Sequence, residues 1–156
     1  WYHSIKDNNW DINSYKKLNK IDDLINLKII LDTFTKLSLQ NGMFFLMKKD
    51  IYPTWEDPDN RDGSSLSFKI FGSKENLINN WRLIILNILT GEFFYDKEIY
   101  HNINGISISP KKEFNILKIW INNYDKKYKE NYLEYFKEYL PSINKDRCLL
   151  KRHFEV

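Results

Sequence analysis

The chain has 156 residues, with 24 Lys and Arg against 21 Asp and Glu and a formal net charge of +3. That length allows one domain with a real core, and the charge is too mild for a protein that wraps nucleic acid. A single cysteine, Cys148, excludes an intrachain disulfide and a thiolate metal cluster, and it reads as a small buried hydrophobe in a reducing compartment. No apolar run approaches membrane-spanning length and no signal-peptide pattern opens the chain. The chain starts at Trp1 without a methionine, so residues upstream of it are expected to be missing. No repeat or linker divides residues 1–156, which read as one domain acting as a monomer.

In chain order, Leu24, Leu27, Ile30, Leu31 and Phe34 recur at helical spacing, with Asp22 or Asp23 as cap and Gly42 following the end. Residues 43–49 read as a strand, and the turn-formers of "YPTWEDPDN" (52–60) read as an exposed loop. Residues 66–71 alternate with period two. Leu77, Ile78, Trp81, Ile84, Ile85 and Ile88 form one helical face, capped by Ser73 and stopped by Gly91. Residues 103–109 and 114–121 predict a hairpin around "PKKE". Tyr128, Tyr132, Tyr135, Phe136 and Tyr139 predict a third helix, capped by Asp125 and ended by Pro141. Residues 147–156 add an edge strand or two.

Strand pairs separated by helices, without βαβ alternation, indicate an α+β layer fold. Along 114–121, Leu117, Ile119 and Ile121 share one face, suited to packing under helices. Ile116, Lys118 and Trp120 share the other, which an antiparallel sheet can leave free for a ligand.

Trp55 is a large apolar side chain in a loop, followed by Glu56 and Asp57. Such an indole makes sense if a flat ring stacks on it, and a cationic ring gains most from the negative indole face. A neighbouring carboxylate can accept two N–H bonds from the Watson–Crick edge of guanine. The species that fits both is 7-methylguanine, the head of the eukaryotic mRNA cap. Its phosphates would call for cations, and Lys111, Lys112 and Lys118 lie nearby in sequence.

"IYPTWEDPDNRDG" resembles the most recognisable loop of the eukaryotic translation initiation factor 4E family. "WYHSIKDNNW" is similar to that family's paired tryptophans, "LTGEFF" to its helix-ending Gly-Glu, and "NGISISPKKEFNILKIW" to its phosphate-binding hairpin. "YFKEYLP" and "KRHFEV" are similar to its last helix and strand. The chain is thus identified as a divergent member, expected from a virus or an AT-rich protist, and its Asn, Lys and Ile content suggests an AT-rich genome. The resemblance implies a strongly curved antiparallel sheet with three helices on its convex side and the cap in the concave slot. Trp10 and Trp55 would sandwich the base, Glu56 would read its edge, and Trp120 would lie against the N7 methyl. Lys111 stands where the family has a phosphate-binding arginine. A helical peptide of the scaffold factor or a repressor would dock on the convex face, at Leu24, Lys28, Leu83 and Gly91.

There are departures. The family's second phosphate-binding basic residue aligns with Ile116, leaving Lys112 or Lys118 to replace it, with Lys118 favoured by sharing a strand face with Trp120. Leu66 replaces a family tryptophan. Lys28 replaces the tryptophan that clamps the partner peptide, and the upstream segment that joins this docking site is missing. Between Pro141 and Phe154 the chain is shorter than the family's.

The expected function is therefore binding of capped mRNA for translation initiation in the cytoplasm, or in the host cytoplasm if the chain is viral. The alternative is a cap-sequestering repressor, or a factor with a non-standard scaffold partner. A cap hydrolase using Glu56 and Asp57 lacks a phosphate loop and metal-spaced histidines, and no cofactor or metal is expected. Generic single-strand RNA binding would need a wider basic groove. Asp57 reads as an ordinary loop carboxylate, Trp81 and the tyrosine stripe as core, and Trp1 as structural. His3, His101 and His153 receive no role.

Overall fold

A computed structural model of the chain describes residues 1–91, 97–141 and 143–154, apart from the side chains at positions 36 and 37. Residues 92–94 of the expected helix-ending motif and 155–156 of the terminal one lie outside the described residues. Six strands form one curved, open antiparallel sheet in the order β1-β2-β4-β5-β3-β6. They are β1 (Tyr2–Ser4), β2 (Gly42–Met47), β3 (Ser64–Ile70), β4 (Ile103–Pro110), β5 (Asn115–Ile121) and β6 (Cys148–Arg152).

The alternation expected along β5 sets the two faces. Leu117, Ile119 and Ile121 sit opposite Phe68, Leu66 and Ser64 of β3, and Leu117 and Ile119 sit opposite Ile108 and Ile106 of β4. The large members of this set are buried under helices, including Leu66. The other face carries Trp120, Lys118 and Ile116, paired with Ser65, Ser67 and Lys69 of β3. The same face on β4 carries Gly105, Ser107 and Ser109.

Three longer helices pack on the sheet: α1 (Leu24–Thr33), α4 (Lys74–Thr90) and α6 (Tyr128–Lys137). Among the described residues three shorter ones accompany them: α2 (Lys36–Asn41), α3 (Pro58–Arg61) and α5 (Lys97–Asn102). Helix α4 follows its sequence closely. Ser73 Oγ accepts the Asn76 N–H at 3.3 Å, and Gly91 ends the helix in the left-handed region at φ 71°. Leu77, Ile78, Trp81, Ile84, Ile85 and Ile88 are all buried. Each such burial stabilises the fold by about 1.5–3 kcal/mol.

The first helical pattern divides in two, which corrects the expected single helix running to Gly42. Phe34 leaves the helical conformation, and Thr35 starts α2 with a capping box to Ser38. Asp23 caps α1 through the Asn26 N–H at 2.7 Å. Gly42 follows α2 in extended conformation and opens β2. Arg82 ties the end of α1 to α4 by donating to the carbonyls of Leu31 (3.0 Å) and Phe34 (2.9 Å). Before α6, the Asp125 carboxylate accepts the Lys127 N–H at 2.8 Å and its carbonyl accepts that of Tyr128. Tyr128, Tyr132 and Phe136 are buried, while Tyr135 and Tyr139 pack at the core's margin. Cys148 is buried as expected, and burial pushes its thiol up to about 11. Short β1, which pairs with β2, escapes the sequence reading.

Candidate functional site

The open face is built from small residues in the middle and rings toward its edges. Gly105 and Ser107 of β4 and Ser65 of β3 form a low floor beside Trp120 of β5. A Cβ at Gly105 would come within 2.5 Å of the Leu46 carbonyl, so only glycine fits that register. Trp120 is only 3% exposed, and its indole N–H donates to Ser107 Oγ at 3.0 Å. From it, ring contacts run both ways. Phe45 of β2 lies 6.3 Å from Trp120, Tyr15 5.5 Å from Phe45, His3 4.7 Å from Tyr15, and Trp10 4.5 Å from His3. On the other side His153 lies 5.3 Å from Trp120, and Trp55 6.1 Å from His153.

Trp10 is mounted on β1. Its indole stacks on the His3 ring at an interplanar angle of 4°, yet it stays 56% exposed. His3 itself is buried, and its Nε2–H donates to the Asn9 carbonyl at 2.8 Å. The intervening "KDNNWD" folds by Asx turns: Asp7 accepts the Asn9 N–H and Asn9 accepts the Asp11 N–H, each at 2.9 Å.

The 52–60 loop is fastened from within. Asn60 is fully buried and donates to the carbonyls of Tyr52 and Thr54, both at 2.9 Å. Asn104 of β4 donates to Asn60 Oδ1 at 3.0 Å and to the Asp59 carbonyl at 2.7 Å. Asp57 is no ordinary loop carboxylate: it is buried, caps α3 through the Asp59 N–H, and accepts the Tyr52 N–H, each at 2.9 Å. This scaffold leaves Trp55 39% exposed and Glu56 exposed at the tip. The Glu56 charge reaches Tyr15, whose phenol is pushed up to about 12 by burial first and by that carboxylate second.

Lys118 places its ammonium 5.6 Å from the centre of Trp55 and 5.4 Å from that of Trp120. Lys151 lies 6.0 Å from the centre of Trp55. Burial, then the charges of Lys111 and Lys151, hold Lys118 below the usual lysine value. His153 donates Nδ1–H to the Asn60 carbonyl at 2.5 Å, which leaves Nε2 bare, buried and without a partner among the described residues. Burial pushes that ring below the ordinary histidine value, and the Lys118 charge adds to the shift. Lys112 is exposed in the β4–β5 turn, away from these contacts.

A family model for eukaryotic initiation factor 4E matches residues 1–155. The chain belongs to that family. Over 93 residues, 60% of its length, it is 30% identical to the eukaryotic translation initiation factor 4E homolog of Acanthamoeba polyphaga mimivirus, covering 33% of that protein. Over 103 residues, 66% of its length, it is 27% identical to eukaryotic translation initiation factor 4E of Candida glabrata, covering 48% of it. The chain thus spans half or less of these relatives. The solved complex of Ascaris suum eIF4E-3 with m7G cap matches 100% of this chain and 88% of its own, with TM-score 0.78 and 18% identity. The Caenorhabditis elegans eIF4E-3 complex, with the 4E-binding protein Mextli and cap analog, matches 98% and 87%, with TM-score 0.77 and 16% identity. At these identities the likeness is one of fold.

On this initiation factor 4E fold, Trp55, Trp120 and Lys118 gather at one side of the open face, and the charge of Lys111 acts on Lys118. Trp10 stands at the other side on His3, whose ring also meets Tyr15. The histidines and Lys151 were missed in the sequence, although Lys151 and His153 alternate as residues of one strand face do. Ile116 lies on the open face opposite Lys69 and Ser109. On the helical side, Leu24 is 82% exposed, and Lys28 pairs with Asp32 at 2.5 Å. Leu83 is exposed on α4, and Gly91 ends that helix. Among the described residues no metal-holding cluster occurs, and no helix is long and apolar enough to cross a membrane.

Proposed function

We propose that this chain binds the 7-methylguanosine cap of mRNA for translation initiation in the cytoplasm, or in the host cytoplasm if it is viral. The supporting observation is the unbroken line of ring contacts across a floor of small residues, with an exposed indole at each end. In this reading Trp10 and Trp55 enclose the cationic base, and Glu56 accepts its N1–H and amino N–H. Trp120 lies under the N7 methyl, while Lys111, Lys112 and Lys118 neutralise phosphates. This is equilibrium recognition without catalysis. Titrating tryptophan fluorescence with 7-methylguanosine triphosphate and with guanosine triphosphate tests it. The methylated ligand is expected to bind at least about tenfold more tightly, since it alone brings a ring charge to the indoles. Equal affinities refute the reading.

The pairing of Lys28 with Asp32 favours a second reading for the outcome of binding. The ion pair is exposed, and in this reading it replaces the indole that the resemblance puts at the partner peptide's docking point. Either the cap is sequestered by a repressor, or the helical partner at Leu24, Lys28, Leu83 and Gly91 is a non-standard one.

A further inference from the structure

Lys118 lies against the indoles of Trp55 and Trp120. It lies mid-strand on β5, paired with Ser67 on one side and Ser107 on the other. Neither serine is bulky enough to compete for the space above the floor. Its ammonium lies over both Trp55 and Trp120, at 5.6 and 5.4 Å from their centres. No carboxylate forms an ion pair with Lys111, Lys118 or Lys151 among the described residues. The remaining ring at this spot, His153, adds no negative charge. Among the described residues, the Lys118 ammonium rests against these two indole faces.

We propose that Lys118 is a charge latch: its ammonium lies on the indole faces that a cationic base would take, and moves to the phosphate chain when a capped nucleotide enters. The latch rests on the cap reading and deepens it, because it makes the phosphate chain a condition of entry. Two cations cannot share the same indole faces without repulsion, so the ammonium must leave as the methylated base arrives. Its four-carbon stem is flexible and its three donors suit phosphate oxygens. A triphosphate compensates for the lost contacts with charge-assisted hydrogen bonds, and it also meets Lys111 and Lys151, whose charges now crowd Lys118. A bare 7-methylguanosine nucleoside displaces the same ammonium and returns nothing. The slot would therefore reject free methylated nucleosides more strongly than two stacking indoles alone would.

The test compares two ligands on two variants. Lys118→Met keeps the apolar stem and removes the charge, and Lys118→Arg keeps the charge. Affinities for 7-methylguanosine nucleoside and for 7-methylguanosine triphosphate are measured by tryptophan fluorescence or calorimetry. Lys118→Met is expected to bind the nucleoside about five- to tenfold more tightly and the triphosphate about tenfold more weakly. Lys118→Arg is expected to keep the wild-type preference for the triphosphate. Changes of the same sign for both ligands in Lys118→Met, or no change for either one, overturn the latch while leaving cap binding standing. Failure of the wild-type chain to bind either ligand overturns the cap reading, and the latch with it.

Discussion

Glu56 is followed by two residues, Asp57 and Asn60, whose burial has a purpose only if the loop tip must hold still. Asp57 beside it is buried as a cap, and Asn60 ties the loop's carbonyls from beneath. The carboxylate is held out near Tyr15, which feels its charge. In the proposed complex, removing it leaves two guanine N–H groups unpaired in a partly desolvated slot. Glu56→Ala is expected to cost about 2–4 kcal/mol of binding to 7-methylguanosine triphosphate, measured by titration. The Tyr15 phenol should titrate lower in the same variant, because a negative charge that disfavours phenolate is gone. An unchanged affinity would mean that the base lies elsewhere. Trp55 and Glu56 were legible in the sequence because an indole and an acid between prolines have few bland explanations. His3 and His153 were not, because isolated histidines carry no spacing signal. Their place under and beside the tryptophans appears only once the strand register is known.

Helix α4 and the β4–β5 hairpin were legible nearly to the residue. Periodicity, a serine cap and a left-handed glycine agree in the first, and period-two alternation runs along β5 in the second, while β4 carries a register shift between Ile103 and Gly105. The α1–α2 break was not legible: the apolar spacing runs through Phe34, and the capping box at Thr35 is hidden inside it. That break leaves α1 a ten-residue helix with no fully buried residue, held by Arg82 and by the partly buried Leu27, Ile30 and Leu31. Its exposed side presents Leu24, Ile25 and Ile29 around the Lys28–Asp32 pair. An aromatic anchor at a helix interface commonly contributes about 2 kcal/mol or more. Lys28→Trp is therefore expected to strengthen binding of a standard scaffold-factor peptide by roughly tenfold or more in a fluorescence anisotropy titration. Tight binding of that peptide by the unaltered chain would remove the case for a non-standard partner.

At the scale of the molecule, the site depends on sheet order. Trp10 hangs beyond β1 and Trp55 stands against His153 beyond β6, so the two indoles belong to opposite edges of the sheet. The curvature of the sheet and the small residues at Gly105, Ser107 and Ser65 leave room on that face for the line of rings that runs from one indole to the other. The small residues could be read along the chain, but their alignment on the two strands that flank β5 could not, because register is set by long-range pairing. The most direct measurement is a crystal structure of the chain with 7-methylguanosine triphosphate. The account predicts the methylated base between Trp10 and Trp55, its edge on Glu56, and the Lys118 ammonium moved from the indoles to the phosphates. A nucleotide bound away from both indoles, with Lys118 still lying over Trp55 and Trp120, would contradict it.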